Sequence, residues 1–392
     1  MPIPRQLATF TAVATFALAA GGRAQGAQGA VHTATPATVV LGGYAEAFYQ
    51  WNFNDPSNGL TNFRGFDSRH DAFTLSNVVL DAVGTSGAVS THVAFQFGHT
   101  PETYYLAEPN APGAGGAGPS DASVWKFLQQ ANVGYRTAEG GLLVEAGLFL
   151  SPIGPEGMAV KDQWNWSRSN LFFGLPFYHT GVRLSYPVTS RLTLMVLGTN
   201  GWNSVVDNNA QKSIALEATY VIADELTSHV LYFGGVERPT GAPEGQPWRH
   251  LLDAYATWIP HPKLAINLHG DVGFEQNDFG TSSWAAGALS ARVHVRPWLA
   301  LAARGDLFLE DVAEDASGRA GAIFWPAAWV TSQTLTADVH PEDNVSFRLE
   351  YRHDHADAAM FFRGDVATDA DGAFVPDAKR QDTLTVGMTT WF

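Results

Sequence analysis

Cysteine is absent from all 392 residues, which excludes a disulfide framework, thiolate metal ligation and thiol catalysis. Basic residues are scarce: 23 Lys and Arg stand against 38 Asp and Glu, for a net charge of −15. Without a basic patch to displace counterions from a phosphate backbone, nucleic acid is not an expected partner. Charged residues make up only 16% of the chain and hydrophobic ones 45%, a balance that excludes intrinsic disorder. After the first thirty positions no run of eighteen apolar residues occurs, so no helical membrane span is encoded. A G-x-S-x-G motif is missing too, and no Ser, His and acid grouping marks a hydrolase.

Abundant glycine (39 residues) and 12% aromatics suit many strands joined by tight turns. Arg5 and the short apolar run 7–20, followed by the small-x-small triplet Gly22-Arg23-Ala24, read as a secretory signal peptide over residues 1–24. Cleavage after Ala27 or Ala30 fits the same pattern. A short segment, 25–38, then leads into the structural part, 39–392.

From Val39 onward the dominant signal is alternation. Val345, Phe347, Leu349 and Tyr351 face one way while Ser346, Arg348, Glu350, Arg352 and Asp354 face the other. Leu264, Ile266, Leu268, Val272 and Phe274 oppose Asn267, His269, Asp271 and Glu275. Period two means strand. About sixteen such segments (range 14–18) are expected: 39–53, 71–83, 88–98, 124–137, 141–151, 179–186, 191–200, 211–221, 226–236, 249–259, 263–275, 283–295, 299–311, 327–339, 344–354 and 381–392. Most reach the roughly 9–11 residues that a bilayer-crossing strand needs. Short connections alternate with long ones, at 54–70, 99–123, 151–180, 201–210, 237–248, 276–282, 312–326 and 356–380. Short turns at one end and long loops at the other describe an all-β, antiparallel transmembrane barrel. Outward aromatics sort to the strand ends: Tyr49, Trp51, Phe97, Phe274, Trp329 and Tyr351 toward the long loops, Tyr135, Tyr186, Trp258 and Phe392 toward the short turns. Such a ring of strands is too wide for side chains to fill, so the polar face should line water.

The stretches GGYAEAFYQWNFNDPSNG (42–59), RGFDSRHDAFTLSNVVLD (64–81), DQWNWSRSNLFFGLPFYHTGVRLSY (162–186) and NGWNSVVDNNAQKS (200–213) resemble the β-barrel porin-2, or OmpL-like, family of bacterial outer-membrane proteins. The resemblance implies a porin passing small hydrophilic solutes or ions. A substrate-selective channel, a loop-mediated adhesin or receptor barrel and, less so, an outer-membrane hydrolase are the alternatives. The terminal Phe392 on an amphipathic strand resembles the signal read by the barrel-assembly machinery, with Thr390 where an aromatic is common. Bilayer lipid and lipopolysaccharide are the implied surroundings, and a homotrimer is the assembly often met at sixteen strands.

The third long connection, 151–180, lacks alternation and combines charges with a dense aromatic run. By analogy with general porins it is expected to fold inward, with Glu156, Lys161, Asp162 and Arg168 as constriction charges and Trp164, Trp166, Phe172 and Phe173 packing it to the wall. The polar phase of the strands assigns Lys126, Arg136, Glu145, Arg183, Glu217, Asp253, Asp271, Glu275, Arg292, Arg304, Asp306, Glu310, Arg348, Glu350, Arg352 and Asp354 to the lumen. Rings of charge tune ion selectivity, and the acidic total favours a weak cation preference. His353 and His355 share one strand face with Asp357 close by, at a loop end. Asp369, Asp371 and Gly372 echo a calcium loop without its distal Glu. No metal or cofactor is expected.

Overall fold

A computed structural model describes residues 36–108, 125–207, 209–318 and 322–392. The expected signal peptide (1–24) and residues 25–35 lie outside the described residues. The chain forms β1 (Ala37–Asn52), β2 (Ala72–Ser86), β3 (Val89–Phe97), β4 (Leu128–Arg136), β5 (Leu143–Leu150) and β6 (Tyr178–Pro187). It continues through β7 (Leu192–Thr199), β8 (Ser213–Ala223), β9 (Leu226–Val236), β10 (Trp248–His261) and β11 (Leu264–Asn277). The remainder is β12 (Gly280–Arg296), β13 (Leu299–Asp311), β14 (Trp329–Glu342), β15 (Val345–Ala356) and β16 (Arg380–Trp391). Each strand pairs antiparallel with its sequence neighbours, and β1 pairs with β16 from Tyr44↔Trp391 to Asn52↔Thr383. The ring is closed. Among the described residues, two short helices interrupt the connections, α1 (His99–Tyr104) and α2 (Asn170–Phe173).

Closure follows from the solvent. Hydrocarbon offers no hydrogen bonds, so an open sheet edge would leave a row of unpaired peptide groups. The end of the chain completes the seam: Phe392 N–H donates to the Gly43 carbonyl at 3.1 Å.

The sheet is inverted relative to a water-soluble protein. On β15 the polar residues Arg348, Glu350 and Arg352 are 2%, 1% and 0% exposed, while Phe347, Leu349 and Tyr351 are 43%, 49% and 42% exposed. Outward apolar side chains continue around the ring, for example Val133, Leu216, Leu268 and Val386. So wide an apolar girdle is intolerable in water and natural against lipid.

One connection departs from expectation. The long loop anticipated at 276–282 is a two-residue hairpin in which Asn277 faces Gly280. The Asn277 side-chain carbonyl accepts from Phe279 N–H at 2.9 Å and Gly280 N–H at 3.1 Å. Gly280 sits at φ 142°, where a side chain is strained. An asparagine caps this turn locally, so β11 and β12 extend instead of giving way to a loop.

If the outer face meets lipid, Leu349→Arg at the middle of β15 should cost about 2–4 kcal/mol. Urea titration of the protein folded into lipid vesicles measures this, and a cost near zero would contradict a lipid-facing position.

Candidate functional site

Residues 151–177, between β5 and β6, lack regular strand structure apart from α2 and a short turn at Val160–Asp162. Irregular backbone needs partners for its N–H and C=O groups. Here charged side chains on the buried polar face of the barrel supply many of them. Glu350 accepts from Trp166 N–H at 2.5 Å and Ser167 N–H at 2.9 Å, and from the Thr336 hydroxyl at 2.8 Å. Arg348 donates to the Gln163 and Asn165 carbonyls at 2.7 and 3.1 Å. Arg304 donates to the Ser167 carbonyl at 2.7 Å and pairs with Glu156 at 2.8 Å. Arg352 donates to the Arg168 carbonyl and to the Asn170 side chain. From β1, Glu46 accepts Val160 N–H at 2.6 Å. Asn170 reaches Asp306 of β13 at 2.9 Å.

Aromatic packing completes the seat. Trp166 lies 5.8 Å from Phe48, and its indole occupies the space where a Cβ on Gly387 would stand. Phe172 stacks on Phe177 at 5.0 Å and meets Phe66 edge-on. Phe173 joins the same cluster, with Phe66, Tyr104, Tyr105 and Tyr178. Trp164 differs: it meets no other ring among the described residues. It lines a cavity of about 220 Å³ with Thr257, Asn267 and Ser290 of β10–β12.

The four charges singled out in this segment divide by environment. Arg168 is buried and donates to the carbonyls of Gly157 at 2.8 Å, Trp166 at 2.5 Å and Met158. Burial pulls its guanidinium below the ordinary value, with the carboxylates of Glu46, Glu156 and Asp67 acting the other way. It braces the segment from within. Glu156 is bound by Arg304 and Ser169. Burial works against its charge, but these partners outweigh it and hold the carboxyl below its usual range. Lys161 and Asp162 pair with each other at 2.8 Å, with side chains 28% and 62% exposed. Asp162 lines the cavity beside Trp164 and also a second one that includes Asp81, Gln129 and Lys161. These two charges therefore meet water.

The wall residues also separate. Arg304, Asp306, Arg348, Glu350 and Arg352 lie on the expected inner face but beneath the segment, not bare to a lumen. Asp354 is likewise covered, bound by Arg64 at 3.1 Å. Glu310 accepts the N–H groups of Ile323, Phe324 and Trp325 in the 312–328 connection. Arg249 and Arg238 both reach Glu275. Asp253 pairs with His269 at 2.5 Å, and Asp271 is buried opposite Asp253 in the β10–β11 register. Partly water-facing pairs are Arg183–Glu145 at 2.8 Å, Arg292–Asp338 at 2.9 Å and His229–Glu217 at 3.0 Å. One assignment to the wall is corrected, while Arg136 keeps its place on the inner phase of β4 with Asn132 and Gly134. Lys126 precedes β4 and lies 3.8 Å from Glu102 of α1, because the strand starts only at Leu128. Arg136 ends β4 and donates to the Gly141 carbonyl at 3.2 Å across the short turn.

Several anchoring residues escaped the sequence reading. Glu46 sits on the inward phase of β1 with Gln50 and Asn52, so alternation could have found it. Arg64 and Asp67, which bind each other in the first long connection, carry no periodic signal. Glu108 accepts Val205 and Val206 N–H and the Tyr178 hydroxyl, a contact between connections that no spacing announces.

A family model described as putative beta-barrel porin-2, OmpL-like, matches residues 38–392. The chain belongs to that family. It is a porin of the bacterial outer membrane. Among solved structures, this porin is similar to the outer membrane channel DcaP of Acinetobacter baumannii: 10% identity, 91% of this chain and 97% of that one covered, TM-score 0.59. It is also similar to an anion-selective porin from Comamonas acidovorans, at 12% identity over 91% of this chain and 100% of that one, TM-score 0.58. OmpT of Vibrio cholerae matches at 11% identity, 91% and 98% coverage and TM-score 0.55. At these identities the likeness is one of fold. No curated protein matches the chain.

Glu350→Ala would leave the Trp166 and Ser167 amides buried without an acceptor, about 1–3 kcal/mol for each. Single-channel current through Glu350→Ala should then be noisier than through wild type. The Glu156 anchor has a depressed carboxyl, so its contribution is present above the unfolded value, roughly 4.3, and fades only as pH falls through the lower folded value. Single-channel current should stay quiet on mild acidification and become noisy below the ordinary carboxylate range, whereas Glu156→Gln should be noisy at neutral pH.

Proposed function

We propose that this porin admits small hydrophilic solutes and ions by passive diffusion, and that residues 151–177 fold into the lumen and set its narrowest point. The observation that carries this reading is the anchoring of one irregular segment to β1, β13 and β15 at once, through Glu46, Arg304 and Glu350. A cap resting on neighbouring loops would not engage mid-strand side chains on the polar face. Lys161 and Asp162 are then the constriction charges, and Glu156 and Arg168 the groups that hold the constriction in shape. The reading calls for no catalysis. An adhesin acting through its loops would not need a water-facing ion pair on an anchored internal segment.

The acidic total and the exposure of Asp162 support a weak cation preference. The assembly proposed is a homotrimer, on the strand number and on the trimer form of Vibrio cholerae OmpT. Phe392, directly after β16, is the proposed contact for the barrel-assembly machinery, and the aromatic strand ends face lipid and lipopolysaccharide.

Recording in planar bilayers under a salt gradient tests these points together. We expect current steps in groups of three and a reversal potential of slight cation preference. Asp162→Asn should move that potential toward anions and Lys161→Gln the opposite way. A clear anion preference would overturn the selectivity, and unchanged potentials in both variants would remove the pair from the constriction.

A further inference from the structure

The cavity beside Trp164 has a composition that packing the segment does not explain. Trp164 is half-buried, touches no other ring, and its indole N–H donates to no acceptor among the described residues. Its position is nevertheless fixed on both sides. Arg348 grips the carbonyls of Gln163 and Asn165, and the Asn165 side chain donates to Thr336 at 2.7 Å. An aromatic face thus stands at the edge of an open cavity, on backbone held at both neighbouring residues.

Opposite it stand uncharged hydrogen-bonding groups from three adjacent strands: Thr257 of β10, Asn267 of β11 and Ser290 of β12. Asn267 donates to Thr257 at 2.9 Å, which leaves its carbonyl free to accept. The Ser290 hydroxyl and the Gln163 side-chain amide form no hydrogen bond within the described residues. Two carboxylates border the space, and each already has a cation, Glu156 with Arg304 and Asp162 with Lys161. The cavity therefore carries no unbalanced charge. An anion would face both carboxylates, and an organic cation would have to displace Lys161 or Arg304.

We infer that Trp164, Gln163, Thr257, Asn267 and Ser290 form a binding station for a neutral saccharide on the diffusion path. A sugar ring offers an apolar C–H face to an indole and a rim of hydroxyls that both donate and accept, matching the amide and hydroxyl groups across the cavity. About 220 Å³ suits a single ring at a time, with the rest of an oligosaccharide extending along the lumen. Pinning at Gln163 and Asn165 preorganises the indole, which reduces the ordering cost of binding. This inference rests on the porin reading above and narrows its solute class.

Current through purified porin in planar bilayers is recorded with maltose added to the electrolyte, and separately with choline and with succinate. Wild type should show concentration-dependent interruptions with maltose and none with the two ions. Trp164→Ala should raise the maltose concentration for half-block by about five- to tenfold, the loss of one aromatic contact, while Trp164→Phe keeps most of the block. Asn267→Ala tests the opposite wall and should also weaken it. Heat-modifiable electrophoretic migration verifies that each variant is a folded barrel. A conducting wild type that maltose does not interrupt overturns the saccharide station and leaves the porin reading intact. The same holds if choline or succinate blocks instead, or if Trp164→Ala blocks like wild type. A folded protein that passes no current overturns both.

Discussion

The peptide group's need for a hydrogen-bond partner governs this molecule twice, in two solvents. At the lipid boundary nothing outside the chain can meet that need, so sixteen strands pair edge to edge until β1 meets β16. For residues 151–177, which have no ladder of their own, charged side chains of the strands meet it. Glu46 and Glu350 take its N–H groups, and Arg304, Arg348 and Arg352 take its carbonyls. The charge on the polar face therefore serves chain geometry as much as solute passage.

This division explains why so many wall charges are covered. A guanidinium with several directed donors can hold a carbonyl and a carboxylate together, as Arg304 does with Ser167 and Glu156. A carboxylate can take two adjacent amides, as Glu350 does with Trp166 and Ser167. Glu310 and Glu108 repeat the device on other connections. Buried charges of this kind are costly unless compensated, and compensation ties each irregular segment to one place. What remains exposed is a smaller set of groups, with Lys161 and Asp162 among them.

Packing reinforces the electrostatics. Gly387 provides the flat seat for Trp166, and the ring cluster around Phe66 and Phe172 joins the first and third long connections with α1. Trp164 escapes that cluster because its neighbours on either side are gripped by the wall. The same bonds that anchor the segment turn one indole toward water.

Alternation along the chain determined the barrel, its strand number and its inner and outer faces, because a period of two is imposed by strand geometry and needs no distant partner to be visible. It located Arg304, Arg348, Glu350 and Arg352 on the inner face for the same reason. It failed at 276–282, where one asparagine and one glycine make a tight turn from a stretch that reads as a loop, and at Lys126, which falls just short of a strand. Only the tertiary structure decided which inward charges meet water and which are covered. That outcome depends on where an aperiodic segment comes to rest, and its partners lie more than a hundred residues away, as with Glu46 and Val160 or Glu350 and Ser167. Local periodicity carries no record of such contacts, since they are set by the closing of the whole ring.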